Sequence, residues 1–241
     1  MELMITAIAG FSILLGALAT HLIKDTEKME HLSMALALGA LAALLLFDLF
    51  PEVHELVEAQ GWGYSLGMLV VGIAMLKVLD LFIPDHHDTE ETHDQNAAHI
   101  GIISAMAVIL HNIVEGMSVY SIAMNSMSDG IIFALGIAMH NIPMGMLIDS
   151  TMEERKRSER YVLLASVTLS TLFGGVLMNM IEVHLSEVLT LTMVSIATGM
   201  ILYIVFSELT PHVFRTREHL RESLISVVIG FALVWVSTLV A

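Results

Sequence analysis

Apolar runs of membrane-spanning length, separated by short polar stretches, set the pattern of this chain. Eight are legible: Leu3–Ile23, Leu32–Phe50, Tyr64–Ile83, Ile100–Met124, Gly130–Ile148, Tyr161–Ile181, Val188–Phe206 and Leu224–Ala241. A helix of about 20 apolar residues crosses the hydrocarbon of a bilayer. The pattern therefore predicts an all-α, polytopic membrane protein with eight transmembrane helices, a single transmembrane unit over residues 1–241. The third run carries Lys77 and Asp80 near its end, where a lysine can snorkel to the interface.

Polarity also occurs where the pattern should exclude it. His111-Asn-Ile-Val-Glu-Gly116 lies near the middle of the fourth run, and His140-Asn-Ile-Pro-Met-Gly145 near the middle of the fifth. A carboxylate at the centre of a span costs about 2.5–3.5 kcal/mol on insertion scales, so it needs a partner, a water-filled path or a bound cation. Consecutive spans run antiparallel, which places His111 and His140 at similar depth. The two helices then present His-Asn to one another at the midplane, where transporters hold their substrates.

Helical spacing puts His111, Asn112 and Glu115 on one face, and His140, Asn141 and Met144 repeat that geometry on the next helix. Imidazole, carboxylate and amide carbonyl all ligate divalent cations, and His with carboxylate suits zinc as well as iron, manganese or cobalt. Pro143 removes one backbone hydrogen bond and frees the carbonyl of Met139. A single membrane histidine commonly serves as a hydrogen-bonding contact between helices. That reading has to cover two histidines, two asparagines and a glutamate at matched depth. Met144 is open to the rival reading of core packing, since the chain holds 18 methionines.

Composition narrows the class. Hydrophobic residues make up 56% of the 241, above the 45–50% of ordinary soluble domains. Without cysteine, disulfides, thiolate zinc sites and thiol catalysis are excluded. Glu2 stands where a secretory signal would carry basic residues, so the first span is expected to stay in the mature protein. A formal charge of −15 argues against nucleic acid and anionic substrates and is compatible with a cation path.

Charge also orients the helices. Lys24, Lys28, Lys77, Arg155, Lys156, Arg157, Arg160, Arg215, Arg217 and Arg221 all fall on one side of the eight spans. By the positive-inside rule that side is cytoplasmic, and both termini face out. The opposite loops are acidic, with Glu52, Glu55 and Glu58 around His54, and Glu182 and Glu187 around His184. Such a rim is either simply solvated or an electrostatic funnel for cations. The longest inner loop, Pro84–His99, is polar and aperiodic, the mark of disorder. Its imidazoles at His86, His87 and His93, interleaved with acids, suit transient capture of divalent metal.

Asp48-Leu-Phe-Pro-Glu-Val closes the second run and Glu208-Leu-Thr-Pro-His-Val the seventh. The two runs point in opposite directions, so the match suggests inverted repeats, with spans one to three mirrored by six to eight. The prolines are expected to stop each helix, with Asp48 and Glu208 as polar helix-end residues.

With these residues in view, the chain resembles the ZIP (Zrt/Irt-like) family of divalent metal-ion transporters. The resemblance rests on the eight spans, the histidine-bearing loop between the third and fourth, and above all the two His-Asn motifs. It covers nearly the whole length. Leu49-Phe-Pro-Glu52 and Gly199-Met-Ile-Leu-Tyr203 followed by Glu208-Leu-Thr-Pro211 also look like the family's second and seventh helices. The resemblance implies a 3+2+3 helix arrangement and inward transport by alternating access, with divalent metal, zinc foremost, as substrate and no cofactor.

Two departures stand out. Met144 replaces a glutamate of the family's fifth helix, and Thr171, in Ser170-Thr-Leu-Phe-Gly-Gly175, stands at a sixth-helix glutamate. Fully carboxylated members resemble binuclear sites. With Glu115 alone of three acids, a single metal is expected, held by His111, Glu115 and His140, with Met144 or water completing the shell. Asn112 and Asn141 then act behind the ligands or during transit. A thioether would shift preference toward softer ions such as Cd²⁺ or Cu⁺.

Two other readings stay open. The chain is a diverged homologue, selective for another cation or a poorly transporting metal-responsive partner. Or it is an intramembrane metal-dependent hydrolase, although no His-Glu-x-x-His motif is present. Location in the cell membrane is expected, with the lipid bilayer and divalent ions as partners. Small residues such as Gly63 and Gly67 permit close helix contacts, within one chain or in a homodimer.

Overall fold

The computed structural model describes residues 1–22, 25–81, 93–153, 155–181, 187–215 and 220–239. Among them are eight helices long and apolar enough to cross a membrane: Glu2–Leu22, Thr26–Gln60, Trp62–Asp80, Ala97–Asn125, Met127–Thr151, Arg157–Ile181, Val188–Arg215 and Leu220–Thr238. No strand occurs among the described residues. The chain is a multi-pass helical membrane protein with the predicted number and order of spans.

Short connections fix the topology. The second and third spans are joined at Gly61, whose φ of 83° lies in the left-handed region that glycine enters without penalty. Ser126 alone separates the fourth and fifth, and its side chain accepts from the backbone N–H of Asp129 at 3.5 Å. A one-residue link forces antiparallel neighbours and leaves His111 and His140 nearly equidistant from it. Asp25 caps the second span by accepting from the N–H of Lys28 at 3.2 Å.

Glycines show which helices touch. A Cβ at Gly39 would overlap the Val227 carbonyl, and one at Gly230 the Leu36 carbonyl, so the second and eighth spans meet backbone to backbone. Gly72 and Gly199 lock the third to the seventh against the carbonyls of Ile196 and Leu69. Gly16 and Gly145 lock the first to the fifth, and Gly116 and Gly174 the fourth to the sixth. Close backbone approach at small residues is how helices associate where lipid is as apolar as the side chains. Exchange first for sixth, second for seventh, third for eighth and fourth for fifth, and each lock maps onto another. This is the inverted repeat that the Asp48 and Glu208 motifs foretold.

The locks divide the helices into two blocks. Spans one, four, five and six form one; two, three, seven and eight form the other. Between blocks the second span packs on the fifth, and the fourth on the seventh. Side chains rather than glycines meet there, among them Met34, Leu41, Leu44, Ile103, Val108, Leu147 and Ile148 of a continuous apolar core. The third and eighth spans turn Val70, Met75, Val228 and Trp235 outward.

Two expectations need correction. The prolines do not end their helices. The second span runs past Pro51 to Gln60 and the seventh past Pro211 to Arg215. Each proline opens an α-helical segment behind a widened π-turn, Leu45–Leu49 and Ile204–Leu209. The wide turn absorbs the missing N–H that would break a regular helix. Thr210 Oγ1 donates to the Val205 carbonyl at 2.6 Å and closes the second of these turns. The loop between the third and fourth spans is also shorter than expected, because the helix of the fourth span begins at His93. His86 and His87 lie outside the described residues, as does the side chain of His93.

Candidate metal site

The one-residue link at Ser126 and the glycine locks bring the two His-Asn motifs face to face. Nε2 of His111 and Nε2 of His140 each stand 3.0 Å from the same Glu115 oxygen, Oε1. The rings are tilted by 52° with centroids 6.0 Å apart. All three residues are buried, and their ligating atoms lie within 4.8 Å of one another. The second carboxylate oxygen, Glu115 Oε2, is buried without a hydrogen-bond partner. Leaving such groups unpartnered in an apolar interior is costly. Zinc binds imidazole nitrogen and carboxylate oxygen at about 2.0–2.2 Å, a reach that three atoms so close together can share.

The neighbouring polar residues are held differently. Asn112 Nδ2 donates to the Val167 carbonyl at 3.5 Å, and Asn141 Nδ2 to the Ala9 carbonyl at 3.2 Å. Each amide thus ties a central helix to an outer one of the same block, in mirrored fashion. Met144, one turn along from His140, is 1% exposed and belongs to the apolar core. Thr171 is fully buried beneath Gly116.

Carboxylates flank the cluster on both sides. Asp48, on the π-turn of the second span, shares a cavity of about 260 Å³ with His140, Phe47, Phe133 and Ile137. Glu52, one turn further out, borders a cavity of about 270 Å³ with Val114, Met117, Ser118 and Ser121. On the opposite side, Asp80, His99 and Glu208 bring three ligating atoms within 4.8 Å. There His99 Nε2 is 2.8 Å from Asp80 Oδ1, and Tyr203 donates to Asp80 Oδ2 at 2.7 Å. His99 lies twelve residues before His111, about 18 Å along the helix.

The sequence points to His111, Asn112, Glu115, His140, Asn141 and Met144; the structure brings His111, Glu115 and His140 together, while the amides of Asn112 and Asn141 turn to Val167 and Ala9 and Met144 lies in the apolar core. The sequence also places Asp48, Asp80 and Glu208 at helix ends. Asp80 does close its helix, where it meets His99 and Glu208, whereas Asp48 and Glu208 lie within helices that continue, Asp48 beside His140. The repeated Asp/Glu-Leu-x-Pro motif was the available signal for two of these three. Glu182, His184 and the side chain of Glu187 lie outside the described residues.

A family model described as ZIP zinc transporter matches residues 81–238. The zinc transporter ZupT of Oceanobacillus iheyensis is 27% identical over 260 residues, covering 98% of this chain and 96% of that protein. ZupT of Streptococcus mutans is 25% identical over 130 residues, 48% of this chain and 49% of the relative. ZupT of Chlorobaculum parvum is 24% identical over 134 residues, again about half of each chain, at 48% and 50%.

Proposed function

The chain belongs to the ZIP zinc transporter family, and from that premise we propose that it carries divalent metal ions, zinc foremost, across the membrane into the cytoplasm. The observation that carries the reading is the single Glu115 oxygen held 3.0 Å from two imidazoles on facing helices. His111, Glu115 and His140 are the proposed ligands of one transported ion. Imidazole with a single carboxylate suits a borderline dication such as zinc. One carboxylate offsets little of the repulsion between two dications in a low-dielectric interior, which supports a single ion.

The block architecture supports alternating access. All three ligands stand on the block of spans one, four, five and six. Asp48 and Glu52, on the other block, flank the outer side, and Asp80 and Glu208, also on the other block, flank the inner side. An ion leaving Glu115 in either direction meets a carboxylate on the block against which its own would slide. The acidic outer face raises the local concentration of cations, and the basic inner face supports the cytoplasmic assignment. His86, His87 and His93 are proposed to receive the ion inside.

Metal uptake by proteoliposomes of purified protein tests the reading. Saturable zinc uptake is expected, abolished by Glu115→Ala and by His111→Ala. Wild-type rates in both variants, with normal folding, overturn the site.

A further inference from the structure

A cavity of about 550 Å³, about twice the size of either cavity beside the Glu115 cluster, lies between the first and sixth spans. Its walls change character along the helix axes. Phe11, Leu14 and Leu18 line it from the first span, which reaches His21 at one end. Leu169, Leu164 and Tyr161 line it from the sixth, which reaches Arg160 at the same end. From Phe11 to His21 the first span rises about 15 Å, half of the roughly 30 Å hydrocarbon of a bilayer. The cavity is thus one leaflet deep. It opens sideways, because Phe11, Leu18, Tyr161 and Leu169 are exposed on the helix surface that faces lipid.

The polar end is basic where it borders the cavity. Asp149 is the one acid in its lining, and Arg160 already neutralises it. Arg160 spends Nε and one hydrogen of Nη2 on Asp149, which leaves Nη1 of its five-donor fork for another partner. Arg157 stands one turn before Arg160 and Tyr161 and extends the same stripe to the exposed start of the helix. Among the described residues neither Arg157 nor the adjoining Lys156 is in an ion pair, whereas Glu159 is taken by Arg155. Tyr161 adds an aromatic ring of the kind that settles at the headgroup level.

A ligand suited to this space is apolar over one leaflet and anionic at its end. A soluble anion leaves the apolar walls unmatched, and an uncharged lipid leaves the basic end unmatched. Basic pockets between membrane helices take anionic headgroups, and the guanidinium fork matches phosphate oxygens. We propose that the cavity binds one anionic phospholipid, with an acyl chain laid between the first and sixth spans and its phosphate at Arg157, Arg160 and His21. The bound lipid ties these spans together at the end where Thr20, Asp149 and Arg160 already join them. The proposal does not rest on metal transport.

The test is native mass spectrometry of delipidated protein in detergent, titrated with phosphatidylglycerol or phosphatidylcholine of identical chains. Wild-type protein should bind one phosphatidylglycerol per chain, tighter than phosphatidylcholine by about fivefold or more. Lys156→Gln/Arg157→Gln, two changes at exposed positions, should bring the two lipids close to equal affinity. Ala165→Phe, which puts a ring into an exposed part of the cavity wall, should weaken both. Excess glycerol 3-phosphate, a headgroup without chains, should not displace the lipid. Equal affinity for both lipids in wild type, an unchanged preference in the glutamine variant, undiminished binding in Ala165→Phe, or displacement by glycerol 3-phosphate would each overturn the proposal. So would a lipid-free dimer that Ala165→Phe dissociates, which would give the groove to a second copy of the chain. Zinc uptake plays no part in the readout, so its failure and that of the lipid site are separable.

Discussion

Asp48 and Glu208 occupy the same position in two helices of opposite direction. Each is the penultimate residue of a π-turn that closes two residues before a proline. Widened turns are frequent at functional sites because they re-aim side chains and backbone carbonyls. Here one turn flanks one side of the Glu115 cluster and its mirror image the opposite side.

That symmetry predicts different kinetic faults. Asp48→Asn should weaken loading, raising KM for zinc uptake about threefold to tenfold with Vmax little changed. Glu208→Gln should slow release, lowering Vmax more than it changes KM. Initial-rate uptake in proteoliposomes separates the two. Identical effects of both variants would deny the carboxylates distinct sides.

The glycine locks predict a sharp contrast in stability. Gly145→Ala and Gly39→Ala place a Cβ on the carbonyls of Ile13 and Val227 and should cost about 1–3 kcal/mol. Gly63→Ala, with nothing within 4 Å, should change stability by less than about 0.5 kcal/mol. Thermal unfolding in one detergent provides the comparison.

Where the first, fifth and sixth spans end together, Arg160 forms a bidentate pair with Asp149, which also accepts from Thr20 at 2.5 Å. Asp149 is almost fully buried, so Arg160→Met leaves a charge without its partner and should cost about 3 kcal/mol. Adding Asp149→Leu should restore most of the loss. Denaturation of the single and double variants measures the difference.

Met144→Glu places a second carboxylate one turn from His140. Bound metal should rise from one ion per chain to two, with preference moving away from Cd²⁺ toward zinc. Metal analysis of dialysed protein checks both. Unchanged stoichiometry and selectivity would mark Met144 as packing alone.

Much of this was legible in the sequence because membrane helices declare themselves by length. The two His-Asn motifs were equally plain, since polar residues at midplane are too costly to be incidental. What the sequence hid was depth and direction. Pro51 and Pro211 read as stops because local rules treat proline as a breaker, whereas a π-turn upstream lets the helix go on. Asp48 and Glu208 read as helix ends for the same reason, although both helices continue and bring them beside His140 and His99. The pairing of Asn112 with Val167 and of Asn141 with Ala9 depends on which helices lie side by side, which periodicity does not encode.

Anomalous scattering at the zinc edge, from crystals of the zinc-loaded protein, tests the central claim most directly. The account predicts one strong peak in contact with His111, Glu115 and His140, lost in Glu115→Ala. A zinc-loaded crystal with no peak between those three side chains, and density only at Asp80, His99 and Glu208 or elsewhere, would contradict it.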